Sequence, residues 1–186
     1  MKISYAITVC NEFDEIQRLI LFLLENKRNE DEIVILYDIN NGHEGIEQFL
    51  KEKSINKQIS WIPGEFNGHF AEWKNKLTSL CTGDYIYQID ADEMINEYIL
   101  RLLPQVLEQN DVDVLLVPRI NTVSGLIQHQ WRIYKNNKNI KWKNKVHEVL
   151  DGYKTMSHLP TEKEWCLIHE KTIKRQETQN AYYDTL

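Results

Sequence analysis

The 186-residue chain has few cysteines and no excess of basic residues. Cys10, Cys81 and Cys166 lie far apart and form no CxxC pair, so the sequence indicates neither a zinc framework nor a disulfide scaffold. A net charge of −6 argues against a general nucleic-acid-binding protein, because such proteins need a basic surface. The chain also has no GxxxxGK[ST] loop, which counts against the usual class of nucleoside triphosphatase.

Long apolar runs are missing as well. No run of about 20 apolar residues occurs, so we predict no transmembrane segment, and the apolar N-terminal stretch is too short for a signal peptide. We therefore expect a cytoplasmic protein, with peripheral attachment to a membrane left open. The composition, 42% hydrophobic and 27% charged, is that of an ordinary globular protein. With no internal repeat and no linker, we predict a single domain over 1–186, with one half at 1–118 and another at 119–186.

The first half of the chain alternates strand-like and helix-like patterns. Apolar, β-rich runs predict five strands, and apolar residues at helical spacing predict four helices, the first of them capped by Asn11. The strands are expected at 3–9, 33–36, 59–62, 85–89 and 112–117, and the later helices at 44–53, 69–81 and 96–109. This β-α-β order predicts an α/β fold with a parallel sheet flanked by helices.

After Pro118 the pattern changes to longer β-type segments. Residues 123–134 and 139–150 predict longer strands or the arms of hairpins, and 165–168 predict one more short strand. The last segment, 170–185, has the pattern of a polar helix. We therefore expect the second half to be a smaller mixed region of β hairpins followed by a C-terminal helix.

The fourth predicted strand ends in an acidic motif, Asp90-Ala91-Asp92-Glu93. Ligands of open α/β sheets bind beyond the carboxyl ends of the strands. Residues two apart in an extended chain point to the same side, about 6–7 Å apart, so Asp90 and Asp92 can hold Mg²⁺ or Mn²⁺ on a diphosphate. Such a metal would stabilise a departing nucleotide. An ordinary turn with solvated acids is the alternative interpretation.

Several segments, in this order along the chain, resemble the inverting GT-A glycosyltransferases of family 2. The similarity covers about residues 3–180. The matching segments are ISYAITVCNEFDEIQRLI, EIVILYDINNG, FNGHFAEWKNKLTSLCTGDYIYQIDADEM, WRIYKNNKNIKWKNKVHEVL and IHEKTIKRQETQN. The resemblance implies a GT-A fold, which has a Rossmann-like, mostly parallel sheet.

The same resemblance implies roles for residues near the nucleotide. Thr8, Val9 and Cys10 match the wall of the nucleotide pocket, and Asp38 matches a carboxylate that can accept the N3–H of uracil. A UDP-sugar is therefore the favoured donor. Tyr37 stands where many family members have an acid, and Ile39 with Asn40 replaces the usual Gly-Ser or Gly-Thr step. These departures leave GDP- and TDP-sugars open.

The resemblance also implies a metal and diphosphate site. Asp90 matches the acid close to the ribose and the metal, with Ala91 next to it on the donor, and Asp92 matches the direct metal ligand. His169 matches a C-terminal histidine that can complete the site for Mn²⁺ or Mg²⁺. Lys171 and Lys174, which follow it, are candidates for binding the diphosphate.

An inverting transferase needs a carboxylate that accepts the proton of the attacking hydroxyl. Glu148, in Val146-His147-Glu148-Val149, is our candidate for this base, with Glu93 and Asp151 in reserve. Alternation along a strand would put Val146 and Glu148 on one side and His147 on the other. A solvated strand acid is the alternative interpretation of Glu148.

Taken together, these features predict an enzyme that transfers a sugar with inversion to a hydroxyl acceptor. The acceptor can be a saccharide, a lipid-linked molecule or a protein. Two other functions stay open, namely a metal-dependent nucleotidyl- or phosphotransferase and a non-catalytic nucleotide-sugar-binding module. The first would attack phosphorus with the same acids, and the second would bind the donor without a positioned base.

Overall fold

A computed structural model describes residues 1–170 of the chain, in which four α-helices and eleven strands are formed. The helices are α1 (Phe13–Asn26), α2 (Glu44–Ser54), α3 (Phe70–Thr78) and α4 (Glu97–Asn110). The strands are β1 (Ile3–Val9), β2 (Glu32–Asp38), β3 (Ser60–Gly64), β4 (Tyr85–Asp90), β5 (Glu93–Met94), β6 (Val114–Asn121), β7 (Ile127–Lys135), β8 (Lys141–Lys143), β9 (Val149–Asp151), β10 (Met156–His158) and β11 (Leu167–His169). No helix within residues 1–170 is long and apolar enough to cross a membrane.

Most of the strands form one mixed sheet, in the order β3-β2-β1-β4-β7-β6-β11-β5, with β10 also paired to β6. Strands β3, β2, β1 and β4 are mutually parallel. The expected α/β fold with a mostly parallel sheet is confirmed. The sheet departs from a purely parallel arrangement at β7, which lies antiparallel between β4 and β6. The β6–β7 hairpin turns at Gly125, which has a φ of 69°, and so returns the chain to β4.

Side chains from both faces of the sheet are buried under helices. In β1, Ile3, Tyr5 and Ile7 pack with residues of α1, α2 and α4, whereas Ala6 packs on the opposite side with α3. This alternation follows from the two-residue period of a strand. The buried cluster that contains Ala6 and residues of α3 also contains Trp142 of β8, so the small β8–β9 hairpin covers the sheet beside α3. Coverage of both faces explains why β1 and β2 are apolar at nearly every position.

Two predicted helix ends were wrong. The N-cap of α1 is Glu12 rather than Asn11, and no side chain caps the helix. The Glu12 carboxylate instead accepts hydrogen bonds from the backbone N–H groups of Cys10 (2.9 Å) and Asn11 (3.1 Å). Helix α3 ends at Thr78, before the expected 81, because the last N–H groups bond to carbonyls three residues back.

Of the two alternatives predicted for residues 139–150, longer strands or the arms of hairpins, the structure has hairpin arms. Strands β8 and β9 pair with each other, and a loop over 144–148 separates them. Asn144 and His147 have positive φ angles of 74° and 55°, which extended strands do not have. The polar helix predicted at 170–185 lies almost wholly outside the described residues.

Candidate active site

The carboxyl ends of β1, β2 and β4 meet at one edge of the sheet. Thr8 of β1 pairs in register with Asp90 of β4, and its hydroxyl lies 3.5 Å from Asp90 Oδ1. Asp38 is the last residue of the neighbouring strand β2. Because ligands of open α/β sheets bind at this edge, the fold brings the predicted nucleotide residues together where a ligand would lie.

Asp38 is held in one position by its surroundings. The residue is only 4% exposed, and its Oδ1 accepts backbone N–H bonds from Asn40 (3.1 Å) and Phe66 (3.2 Å). Its Oδ2 lies 3.3 Å from the side-chain amide of Asn41 and 3.7 Å from the Cys10 sulfur. The structure thus brings Cys10 and Asp38 into contact, and the turn after β3 supplies one of the donors that fix the carboxylate.

A buried arginine lies behind the acidic motif. Arg132, on β7, donates to Asp90 Oδ2 at 2.9 Å and also contacts the Glu93 carboxylate. Glu93 accepts the backbone N–H of Asp90 at 3.0 Å, and Arg119 lies 3.5 Å from its carboxylate. Glu93 has no exposed surface, so it fixes the turn and cannot meet an acceptor hydroxyl. This burial removes Glu93 from the candidates for the base.

The pKa values of Asp90 and Glu93 are shifted in opposite directions. Burial acts to raise the pKa of Asp90, but the positive charges of Arg132 and Lys74 outweigh it and hold that pKa well below its usual range. For Glu93 burial dominates, so its pKa is raised despite the nearby Arg132. Asp90 is therefore an anion at neutral pH, with the Arg132 guanidinium as its fixed counter-ion.

Asp92, in the turn after β4, lies next to His169, at the end of β11. The His169 Nε2 is 3.2 Å from Asp92 Oδ2, although 77 positions separate the two residues. His169 pairs in register with Glu93 of β5 and is 4% exposed. Its Nδ1 is buried and has no hydrogen-bond partner within residues 1–170.

The Asp92–His169 pair could supply one oxygen and one nitrogen donor to the metal that the resemblance implies. No group of three His, Cys, Asp or Glu side chains is arranged to hold a metal within the described part of the chain. Mg²⁺, however, is commonly bound by one or two carboxylates, with waters and substrate phosphates completing its shell. Asp92 offers a carboxylate oxygen of the kind that Mg²⁺ and Mn²⁺ bind, whereas the imidazole of His169 is a ligand more usual for zinc, copper or iron.

Glu148 lies in the loop between β8 and β9, and its side chain is turned towards α3. Its Oε1 is 2.9 Å from the Nζ of Lys74, and both side chains are largely buried. The predicted alternation of Val146, His147 and Glu148 was wrong, because the left-handed backbone of His147 breaks the strand. Asp151, the other reserve base, is exposed and accepts the backbone N–H of Gly152 at 2.8 Å.

Three charged residues in this site were not singled out from the sequence, namely Lys74, Arg119 and Arg132. Arg132 carries a recognisable signal, because it is a charged residue between the apolar Trp131 and Ile133 inside a strand. Lys74 carries none, since lysine is ordinary on a helix surface. Lys171 and Lys174, the predicted diphosphate ligands, lie outside the described residues.

Comparison with solved structures shows the same fold in crystal structures of S. aureus TarS residues 1–349. One matches with a TM-score of 0.73 at 16% identity, over 90% of this chain and 60% of that chain. The structure of that protein in complex with UDP matches with a TM-score of 0.73 at 17% identity, over 90% and 60% of the two chains. The complex with UDP-GlcNAc gives a TM-score of 0.71 at 15% identity, over 92% and 60%.

This chain therefore spans about 60% of the length of those TarS chains. At such identities the likeness shows the fold, which is the expected GT-A fold. A search of curated proteins gave no match. The family described as "Glycosyl transferase family 2" matches residues 4–166, which is most of the chain. The chain belongs to glycosyl transferase family 2.

Proposed function

We propose that this chain is an inverting glycosyltransferase that moves a sugar from a UDP-sugar to a hydroxyl group of an acceptor. One observation supports the proposal above all others. Asp38 ends β2 and Asp90 ends β4, with β1 between these two strands, and Asp92 lies in the turn after β4, where His169 is 3.2 Å away. The carboxylate proposed to bind the nucleotide base and the side chains proposed to bind a metal on the diphosphate thus lie at the same edge of the sheet.

Asp38 is the proposed ligand of the nucleotide base. A carboxylate can accept about four hydrogen bonds, and Oδ1 of Asp38 is taken by the N–H groups of Asn40 and Phe66. Within residues 1–170, its Oδ2 faces only the Asn41 side-chain amide and the weakly donating Cys10 thiol, which the N3–H of uracil would replace. The TarS structures in complex with UDP and with UDP-GlcNAc give further support to a uridine nucleotide. The preference for uridine over guanosine or thymidine is part of the proposal.

Asp92 and His169 are the proposed protein ligands of Mn²⁺ or Mg²⁺, with Asp90 close by. When bound, the metal supplies positive charge to the diphosphate and so favours its departure. Arg132 neutralises Asp90 from the protein side and fixes its direction. Charge that is positioned in advance near developing negative charge is usually a large part of catalysis.

Glu148 is the proposed general base. Its carboxylate accepts the proton from the acceptor hydroxyl as that oxygen forms a bond to the anomeric carbon of the sugar. The bond between this carbon and the diphosphate oxygen breaks at the same time, and UDP leaves from the opposite face. Attack and departure on opposite faces invert the configuration at the anomeric carbon. We propose that the acceptor is a saccharide, a lipid-linked molecule or a protein.

A donor panel tests the proposal. UDP-, GDP- and TDP-sugars are incubated with Mn²⁺ and the protein, and the products are separated. We expect UDP and free sugar from a UDP-sugar, and we expect Glu148→Gln to retain donor affinity but lose most turnover, by about 10²–10⁴-fold. Release of pyrophosphate or phosphate would instead favour a nucleotidyl- or phosphotransferase. Binding of the donor without turnover, unchanged in Glu148→Gln, would favour a non-catalytic binding module.

A further inference from the structure

Helix α3 is attached to the loop that carries the proposed base. The side chain of Asn75 donates to the backbone carbonyl of Trp142 at 2.9 Å and accepts the backbone N–H of the same residue at 2.9 Å. The backbone N–H of Phe70 donates to the carbonyl of Lys145 at 3.0 Å. The helix therefore bonds to the polypeptide on both sides of the turn into the 144–148 loop.

Lys74 also contacts the Glu148 side chain directly. Its Nζ lies 2.9 Å from Glu148 Oε1 and 4.5 Å from the centre of the Trp142 ring. The side chain of Lys74 is 12% exposed and that of Glu148 is 14% exposed. Water screens a pair of this kind less than a surface pair, so the contact restricts where the carboxylate can point.

Lys74 lies on a helix that packs against the sheet. Helix α3 itself is fixed to the sheet by Ala71, Trp73 and Leu77, which are buried against β1 and β2. Lys74 thus connects a loop of irregular backbone to the rigid part of the site.

We infer that Lys74 is a positioning residue, which holds the Glu148 carboxylate in the direction needed to receive the acceptor's proton. The inference rests on the proposed function, because it assigns a task to Lys74 only if Glu148 is the base. Displacement of a catalytic group by about 1 Å lowers turnover by roughly a hundredfold. The loop needs such support because Asn144 and His147 have left-handed backbone and no strand pairing fixes residues 144–148.

The test uses Lys74→Met, which keeps a stem of similar length over Trp142 but removes the charge. Lys76→Met is the matched control, since Lys76 lies on the same helix, over the Trp73 ring at 5.4 Å. We expect Lys74→Met to lower kcat for UDP-sugar hydrolysis by roughly tenfold to a hundredfold. KM and the Kd for UDP with Mn²⁺ should change less than threefold, and Lys74→Arg should recover part of kcat. The control should keep wild-type values.

Two other results would overturn the inference. If Lys74→Met weakens UDP binding tenfold but leaves kcat unchanged, Lys74 binds the donor instead of positioning the base. If it lowers kcat equally in wild-type and Glu148→Gln backgrounds, Lys74 does not act through Glu148.

A measurement without ligand separates this inference from the proposed function. The urea midpoints of Lys74→Met, Glu148→Gln and the double variant form a double-mutant cycle. We expect non-additive shifts, because each single change removes the same contact. Additive shifts would refute the coupling even in an active enzyme. A wild-type protein that neither binds UDP nor hydrolyses any donor would refute the proposed function, whatever the cycle shows.

Discussion

Replacement of Arg132 by methionine should be among the most damaging single changes in the chain. Arg132 is 3% exposed and its guanidinium is the counter-ion of Asp90 and of the fully buried Glu93. Without it, the one positive charge left beside Glu93 within residues 1–170 is Arg119, at 3.5 Å. Removal of one partner from a buried ion pair costs about 3–5 kcal/mol, since the remaining charge has no compensation. For a chain of this size that corresponds to a fall in Tm of roughly 10 °C.

The pH dependence of this loss identifies its cause. Burial already raises the pKa of Glu93, and loss of Arg132 raises it further. A carboxyl whose folded pKa is above its unfolded value of about 4.3 favours folding while protonated, so stability falls as pH rises towards the folded pKa. In the wild type the pKa of Asp90 is lowered instead of raised, so the ionised Asp90 stabilises the fold above about pH 4. The variant loses that contribution to stability.

Urea unfolding at pH 5 and pH 8 isolates the Glu93 effect, because the Asp90 contribution is lost equally at both pH values. We expect Arg132→Met to lose more stability at pH 8 than at pH 5, and the double variant Arg132→Met/Glu93→Gln to recover much of the loss at pH 8. Arg101→Met, at an exposed position on α4, is the control and should change stability by less than about 0.5 kcal/mol. A loss below about 1 kcal/mol, or one that does not depend on pH, would refute the reasoning.

Two further predictions concern glycines beside the two hairpins and the proposed nucleotide pocket. Gly152→Ala should destabilise the protein by about 2 kcal/mol or more in thermal unfolding, because φ is 83° and a Cβ there would collide with the carbonyl of Asn139. Gly125→Ala, with φ of 69° and open space around it, should cost only about 1 kcal/mol, and equal losses would contradict this account. Iodoacetamide should modify Cys10 before Cys81, because Cys81 is buried and burial raises its pKa to about 12. UDP should slow the reaction at Cys10. Equal rates with and without UDP would exclude Cys10 from the nucleotide pocket.

Local patterns were enough to predict most of the sheet and the acidic edge. The apolar runs of β1, β2 and β4 are buried on both faces, and a strand of that kind has few alternatives. The positions of Asp38 and Asp90 at the ends of these strands then follow from the parallel order. The insertion of β7 beside β4 did not follow, because the pairing of a returning hairpin arm depends on contacts distant in sequence.

Contacts between side chains that lie far apart in the sequence also could not be predicted from local patterns. Arg132 meets Asp90 across 42 positions, and the approach of β7 to β4 decides that contact. Glu148 was placed on a strand by alternation, yet the left-handed His147 turns the chain and brings the carboxylate to Lys74 instead. A period-two argument holds only while the backbone stays extended.

Calorimetric titration of UDP with and without Mn²⁺, on the wild type and on Asp92→Ala, tests the central claim most directly. We expect Mn²⁺ to strengthen UDP binding to the wild type by at least about tenfold, and we expect that enhancement to vanish in Asp92→Ala while circular dichroism shows an intact fold. If Mn²⁺ strengthens UDP binding equally in both proteins, the metal does not bind at Asp92 and His169.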